Sequence, residues 1–331
     1  MADEKLKGWN HVPDVPITVS PFFTWPLRPL EMVKWVWNAW FLITEKLIIL
    51  GIAIVCYLFI SPSLEETRTF EFGWIALVYA RNFLIIFLVA GGLHLWFYAF
   101  SKQGKELKYD PRPLMKKGRQ FTLGGQIRDN MFWTLGSGVF FWSLYEVILL
   151  WSLANGYVPM VSWAANPVWF ILLFLLLPLW ESFYFYWIHR LIHIPILYKH
   201  IHSVHHRNIN VGPWSGLSMH PAEHAIYLGS VFIHFLVGAH PLHIIFHLQY
   251  YTLTAVTTHT GYQGLLVKDR SRLALGTFHH QMHHRYFECN YGSLEMPWDK
   301  WFGTFHDGTV SANERMKERL KALSGAAGGK V

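Results

Sequence analysis

Eight histidines stand in three short clusters in the C-terminal half of this chain: His189-x3-His193, His202-x2-His205-His206 and His280-x2-His283-His284. On a helix, residues three and four apart share a face, so each cluster is expected to point two or three imidazoles the same way. Neutral nitrogen donors arranged like this have a clear coordination purpose and little packing purpose. Of the 20 histidines, 18 fall between His189 and His306, where an even scatter would put about a third of them. Histidines that stand singly on apolar stretches, namely His94, His234, His243 and His247, read instead as core residues with ordinary hydrogen bonds.

Ligand number and type narrow the metal. Eight or more imidazoles exceed the three or four protein ligands of a zinc site, which implies two ions. Imidazole suits iron, zinc and copper, so donor type alone does not choose among them. The Glu and Glu-x-x-His set of soluble di-iron bundles is not found here.

The elements that must position these residues are membrane helices. The 331 residues are 52% hydrophobic and only 15% charged, with 17 Trp and a mean hydropathy of +0.22. That balance is too apolar for an ordinary soluble domain. The N-terminus lacks the features of a removable signal peptide, so the apolar stretches are expected to persist as anchors. Two cysteines, Cys56 and Cys289, suggest no disulfide framework and a site facing a reducing compartment.

Four spans are expected: Leu47 to Leu64, Asn82 to Ser101, Met131 to about Tyr157, and Pro167 through Trp180 to about Ile188. Each is long enough to cross ~30 Å of hydrocarbon. Trp35 to Trp40 reads as an interfacial segment, and Asp110-Pro111-Arg112-Pro113 as a loop, since prolines this close cannot continue a helix. Residues 102 to 129 hold Lys102, Lys105, Lys108, Arg112, Lys116, Lys117, Arg119 and Arg128 against Glu106, Asp110 and Asp129. That excess makes the loop cytoplasmic. By parity the N-terminus and everything after the fourth span, all three clusters included, lie on the same side. The apolar stretch Ala225 to Thr258 must then enter and return. Broken at Gly238-Ala239-His240-Pro241, with a first arm reaching only ~20 Å, it is expected to be a re-entrant or interfacial helical hairpin that helps wall off a lipid-facing cavity.

The fold class is therefore all-α: an integral membrane bundle of about four transmembrane helices plus this hairpin, with a cytosolic histidine-rich cap. Three regions are expected. Residues 1–130 form an anchoring region with two spans and the basic loop, 131–310 a catalytic domain, and 311–331 a basic tail. Arg81, Glu146 and Glu181 fall within or at the ends of spans, where ionisable residues face the bundle interior and pair; an Arg81 to Glu146 contact is the structural expectation. The net charge of +7 is first a topology signal, and could also attract anionic headgroups or an acidic electron carrier.

The ordered motifs resemble the fatty acid hydroxylase and sterol desaturase superfamily of membrane di-iron oxygenases. The resemblance covers roughly Pro167 to Asp307. It rests on Trp187-Ile188-His189-Arg190-x2-His193, His202-Ser203-Val204-His205-His206, His220-Pro221-Ala222-Glu223, and His280-x2-His283-His284 followed by Asn290-Tyr291-Gly292 and Trp298-Asp299-x2-Phe302-Gly303-Thr304. The last stretch is most similar to sterol C-5 desaturases. The resemblance implies two irons, dioxygen as co-substrate, and oxidation of an unactivated lipid C–H bond by hydroxylation or desaturation. It implies His189, His193, His202, His205, His206, His280, His283 and His284 as ligands. His259, in Thr258-His259-Thr260-Gly261-Tyr262, fits a further ligand position, although Gln263 stands where hydroxylase members carry a second histidine. His220, His224, His279, Glu223, Asn290 and Asp299 are candidates for ligation or for orienting ligands through outer hydrogen bonds.

Such chemistry needs two external electrons, and the chain carries no Gly-rich dinucleotide fingerprint, haem motif or iron–sulfur cysteine motif. A separate carrier, a b-type cytochrome or a ferredoxin with its reductase, is the expected partner, with a membrane lipid as substrate and no nucleic acid. The expected location is a bacterial inner membrane or the endoplasmic reticulum, with the site on the cytoplasmic side. Two other classes remain open: a histidine-rich metal transporter or sensor, and a non-catalytic structural membrane protein. Transporters place polar ligands near the bilayer midplane, whereas these clusters follow the end of the last span.

Overall fold

The computed structural model describes residue 6, residues 8–40 and residues 44–328. The longer helices among the described residues carry the architecture: α1 Pro29–Trp40, α2 Glu45–Phe59, α3 Phe72–Ala99, α4 Gln126–Ala154, α5 Pro167–Ile192, α6 Pro221–Leu228, α7 Pro241–Thr258, α8 Phe278–Tyr286 and α9 Val310–Gly328. One antiparallel hairpin, β1 Gly264–Val267 with β2 Arg270–Ala274, interrupts them. The sequence reading did not anticipate it, because its tight turn is made by Lys268 and Asp269, both at positive φ, rather than by the usual glycine.

Among the described residues three helices, α3, α4 and α5, are long and apolar enough to cross a membrane, against the four spans expected. In place of the expected span over Leu47 to Leu64 stands α2, which starts at Glu45 and ends at Phe59 after only 15 residues, about 22 Å at 1.5 Å per residue. Helix α3 begins at Phe72 and not at Asn82, because Arg81 does not end it. Arg81 pairs with Glu146 of α4, and Asn82 Nδ2 donates to the other Glu146 oxygen at 3.0 Å. The buried charge is thereby neutralised and bonded inside the bundle, as an intramembrane ion requires.

Hydrogen bonds sort the connections to two ends. At one end Tyr98 Oη donates to the carbonyls of Val211 (3.0 Å) and Thr260 (2.8 Å), and Gln126 Nε2 donates to Asn208 Oδ1 (3.0 Å). At the other, Asn155 Nδ2 donates to the Arg68 carbonyl at 3.1 Å, and Ala239 N to the Pro159 carbonyl at 2.9 Å. All three histidine clusters share the first end.

The Ala225–Thr258 stretch does enter and return, turning at Gly238. That residue has φ +78°, and a Cβ there would meet the Pro159 carbonyl oxygen at 2.8 Å. The hairpin runs deeper than expected. Trp169 Nε1 donates to the Val237 carbonyl at 3.0 Å, level with the start of α5, because a 3-10 turn over Gly229–Ile233 rises ~2.0 Å per residue. Its returning arm, α7, is core and not interface. Fifteen of its 18 residues are buried, packed against α2, α3, α4 and α5.

The basic 102–129 loop is likewise folded onto the molecule in part. Tyr109 N donates to the Gly261 carbonyl at 3.0 Å, and Arg207 pairs with Asp129 at 3.1 Å. Tyr109 also joins Leu6 and Trp9 in a small apolar cluster against Phe278 and Met282 of α8. The N-terminal segment and this loop therefore brace the helix that carries the last histidine cluster.

Candidate metal centre

The nine histidines fall into two groups, within each of which one donor atom per residue lies within 4.8 Å of all the others: His189, His193, His202, His206 and His283 in one, His205, His259, His280 and His284 in the other. Helix geometry explains the division. Residues four apart sit nearly above one another, whereas adjacent residues diverge by about 100°. Each i, i+4 pair (189/193, 202/206, 280/284) therefore serves a single centre. The third member of the two longer clusters, His205 or His283, turns to the other. A wide π turn over Tyr198–His202 leads into this register, a distortion frequent at functional sites. The expectation that each cluster points one way holds for the i, i+4 pairs alone.

The inner geometry is that of converging lone pairs. In the four-histidine group the Nε2 atoms of His259, His280 and His284 form a closed triangle with sides of 3.0, 3.1 and 3.2 Å. In the five-histidine group Nε2–Nε2 distances are 3.1 Å for His189–His202, 3.2 Å for His193–His206 and 3.0 Å for His206–His283. A neutral imidazole carries one N–H. Backbone carbonyls claim that proton at Nδ1: Tyr291 for His189 (2.6 Å), Cys289 for His283 (2.6 Å) and Ala255 for His259 (2.7 Å). Their Nε2 atoms are therefore bare acceptors facing other nitrogens. Nitrogens bound at ~2.1 Å to one ion at right angles are about 3.0 Å apart, so the donor set fits a metal at each centre.

Electrostatics support the same conclusion. Burial pushes His202, His205, His206, His280, His283 and His284 well below the ordinary imidazole value, and His259 down to about 4. Neighbouring imidazoles push the same way. The rings are thus neutral at physiological pH, the form that ligates.

The outer candidates separate. Glu223 Oε1 lies 2.7 Å from His202 Nδ1 and orients that ring directly. Asp299 acts one step back: its carboxylate accepts from Tyr291 N and Gly292 N, both at 2.8 Å, and from Thr304 Oγ1 at 2.7 Å. It thereby fixes the carbonyl that holds His189, and His279 stands 3.7 Å away. Asn290, at positive φ, ties the His279 and His306 carbonyls together. His220 and His224 lie outside both groups. The first caps α6 through Ala222 N, and the second is held by Ser137 and the Leu217 carbonyl. Gln263, at the departed family position, contacts His11 of the N-terminal segment. Sequence reasoning missed the carbonyl anchors, although Asn290-Tyr291-Gly292 was the visible trace of one.

A cavity of about 170 Å³ opens beside the histidines. His189, His202, His205, His259 and His280 line one end, and Phe185, Ile188, Met219, Tyr227 and Ala255 make its largely apolar wall. Cys56 and Cys289 are both unpaired and buried.

Fold and site together define a helical integral membrane protein that gathers nine histidines beside an apolar cavity at one end of its bundle. Residues 174–304 match the fatty acid hydroxylase family, and the chain is similar to sterol desaturases. A Delta(7)-sterol 5(6)-desaturase of Gibberella zeae is 30% identical over 140 residues, 42% of each chain. Another from Aspergillus fumigatus is 32% identical over 142 residues, 42% of this chain and 39% of the relative. Lathosterol oxidase of Rattus norvegicus is 36% identical over 122 residues, 36% of this chain and 40% of the relative. The chain thus spans about two fifths of the length of the curated relatives it matches. No solved structure matches.

Proposed function

We propose that this chain is a membrane-bound, oxygen-dependent oxidoreductase that hydroxylates or desaturates an unactivated C–H bond of a lipid, sterol-like or acyl. The observation that carries the reading is the pair of convergent histidine groups, with His189, His202, His259 and His283 anchored through Nδ1, opening on an apolar cavity. In this reading His189, His193, His202, His206 and His283 hold one iron, and His205, His259, His280 and His284 hold the other. Two bound irons would supply the dioxygen-dependent oxidation of the C–H bond. The protein's own part is positional. Carbonyls and Glu223 fix the ring orientations, the apolar wall excludes water, and the cavity holds the lipid against the histidine end, where its orientation selects the carbon that reacts.

The basic loop and the clustering of all the histidines at one end support a cytoplasmic-side site. A separate b-type cytochrome or ferredoxin docking on that face supplies the electrons. A transporter reading gains no support, since the histidines gather at one end of the bundle and do not follow a path through it. Metal analysis of purified protein, with dioxygen uptake in the presence of a reductant, tests the proposal. About two irons per chain, and lipid oxidation lost in His205→Ala and His283→Ala, are expected; intact lipid turnover in both variants overturns it.

A further inference from the structure

The cavity has a second polar end, away from the histidines. Glu181 lines it from α5 and Tyr251 from α7, and they are only 4% and 6% exposed. Glu181 is held from behind: Oε1 accepts from Ser230 Oγ at 2.8 Å and meets His247 Nε2. His247 Nδ1 lies 3.1 Å from His234 Nε2, and His234 Nδ1 donates to the Gly238 carbonyl at 3.1 Å. This line fixes one carboxyl oxygen and leaves the other unengaged. Neither Glu181 Oε2 nor the Tyr251 hydroxyl has a hydrogen-bond partner among the described residues, although both are buried. Such groups are costly when buried and unpaired. Glu146, buried between α3 and α4, is bonded through both oxygens, whereas Glu181 is bonded through one, and its free oxygen calls for a ligand.

Two helices set the same spacing. Glu181 stands eight residues before His189 on α5, and Tyr251 eight residues before His259 at the end of α7. At 1.5 Å per residue both offsets are about 12 Å. Phe185, midway between Glu181 and His189 on α5, bridges the interval, with its ring 4.8 Å from that of His189 and 6.5 Å from that of Tyr251. A molecule filling the cavity therefore spans a fixed apolar distance between a polar end and the histidines.

We propose that Glu181 and Tyr251 form a subsite for one uncharged hydroxyl group of an otherwise apolar lipid, which sets the reacting carbon on the order of 10 Å away. The inference rests on the functional reading above and narrows its substrate class. A hydroxyl balances both groups at once, donating to Glu181 Oε2 and accepting from Tyr251. Among the described residues no lysine or arginine lines the cavity, so a phosphate or carboxylate finds no counter-charge there, and an ammonium would carry a charge into a largely apolar space at high desolvation cost.

The full-length protein as purified, under argon and without reductant so that nothing turns over, is equilibrated with radiolabelled ligands in matched pairs. One pair is 5α-cholestan-3β-ol and 5α-cholestane; the other is hexadecan-1-ol and hexadecane. In at least one pair the alcohol is expected to bind tenfold or more tightly than its hydrocarbon, and the pair that shows it tells a ring hydroxyl from a chain-terminal one. Tyr251→Phe, which keeps the ring, is expected to cut that preference to threefold or less, and Glu181→Leu to abolish it, with iron content unchanged in both. Equal binding of alcohol and hydrocarbon in both pairs, or an undiminished preference in Tyr251→Phe, overturns the subsite. Because no chemistry occurs, failure of this binding is separate from failure of the oxygenase reading, which iron content and dioxygen uptake report.

Discussion

Two regions of this molecule bury histidines, and they do so in opposite ways. At the cluster end, rings from α5, α8, the segment 202–206 and the end of α7 converge, with Nε2 atoms of neighbouring rings 3.0 to 3.2 Å apart. Deeper in the bundle, Glu181, His247, His234 and the Gly238 carbonyl stand in series. His243 is likewise satisfied, between His240 N at 3.0 Å and the Phe170 carbonyl at 2.9 Å. Burial is complete in the line and nearly so in the clusters, where His193 is half-buried. What separates a prospective ligand from a structural histidine is where the second nitrogen goes: in the clusters the Nε2 atoms meet one another at a point, whereas in the line each nitrogen bonds onward to the next group.

The sharpest break of that distinction is substitution at the point of convergence. His284→Ala leaves three of the four histidines in its group, and metal content is expected to fall by about half. Turnover should drop by more than the ~100-fold that marks loss of an outer hydrogen-bond partner. His234→Asn, in the line, should leave metal content at the wild-type level. Elemental analysis of the two variants side by side decides it, and equal metal loss in both would erase the contrast. The next largest effect lies in the line itself. His247→Leu strands Glu181 without its imidazole partner inside the bundle, and breaking a buried pair costs about 3–5 kcal/mol. Denaturant unfolding in detergent should show that loss while metal per folded chain stays constant.

The sequence made the cluster end far more legible than the bundle. Spacing named the eight clustered histidines, because i, i+3 and i, i+4 spacing survives any tertiary arrangement, and the family resemblance added His259. It could not show that His205 and His283 face away from their cluster mates, since that depends on how the 202–206 segment and α8 pack side by side. Nor could it find the anchors, because a backbone carbonyl at Tyr291, Cys289 or Ala255 has no residue-type signature. In the bundle the charge of Arg81 hid the first turns of α3, and only tertiary pairing with Glu146 reveals why the helix runs through it. Similarly, a Gly-Ala-His-Pro break implied a turn at Gly238, but its depth was set by a 3-10 segment that no pattern announces. His234 and His247 were rightly expected to be ordinary core residues; that they join Glu181 in one line is a fact of packing.

The outer hydrogen bonds sharpen the comparison further, because they ask whether convergence needs its supports. Glu223→Ala removes the partner of His202 Nδ1, and the expected result is a 10- to 100-fold loss of metal affinity confined to the five-histidine centre. Titration with ferrous ion should then show one weakened and one unchanged site. A uniform loss at both would mean that Glu223 acts through the fold and not through His202.

The smallest effect belongs to Asp299, which reaches the metal centre only through the backbone. Its two oxygens accept from Tyr291 N and Gly292 N, so in Asp299→Asn one of those amides faces an NH2 group and loses its acceptor. The local cost is about 1–3 kcal/mol, part of it relieved by movement of the 290–292 turn. That turn carries the carbonyl that holds His189 Nδ1, so relaxation reorients His189 alone. Metal affinity should fall only several-fold, again at the five-histidine centre, while Asp299→Glu, with its longer side chain, should not restore it. An Asp299→Asn protein that unfolds more readily yet binds both metals normally would show that the Tyr291 carbonyl is held by its own turn, and would limit the supporting structure to Glu223 and the three carbonyls.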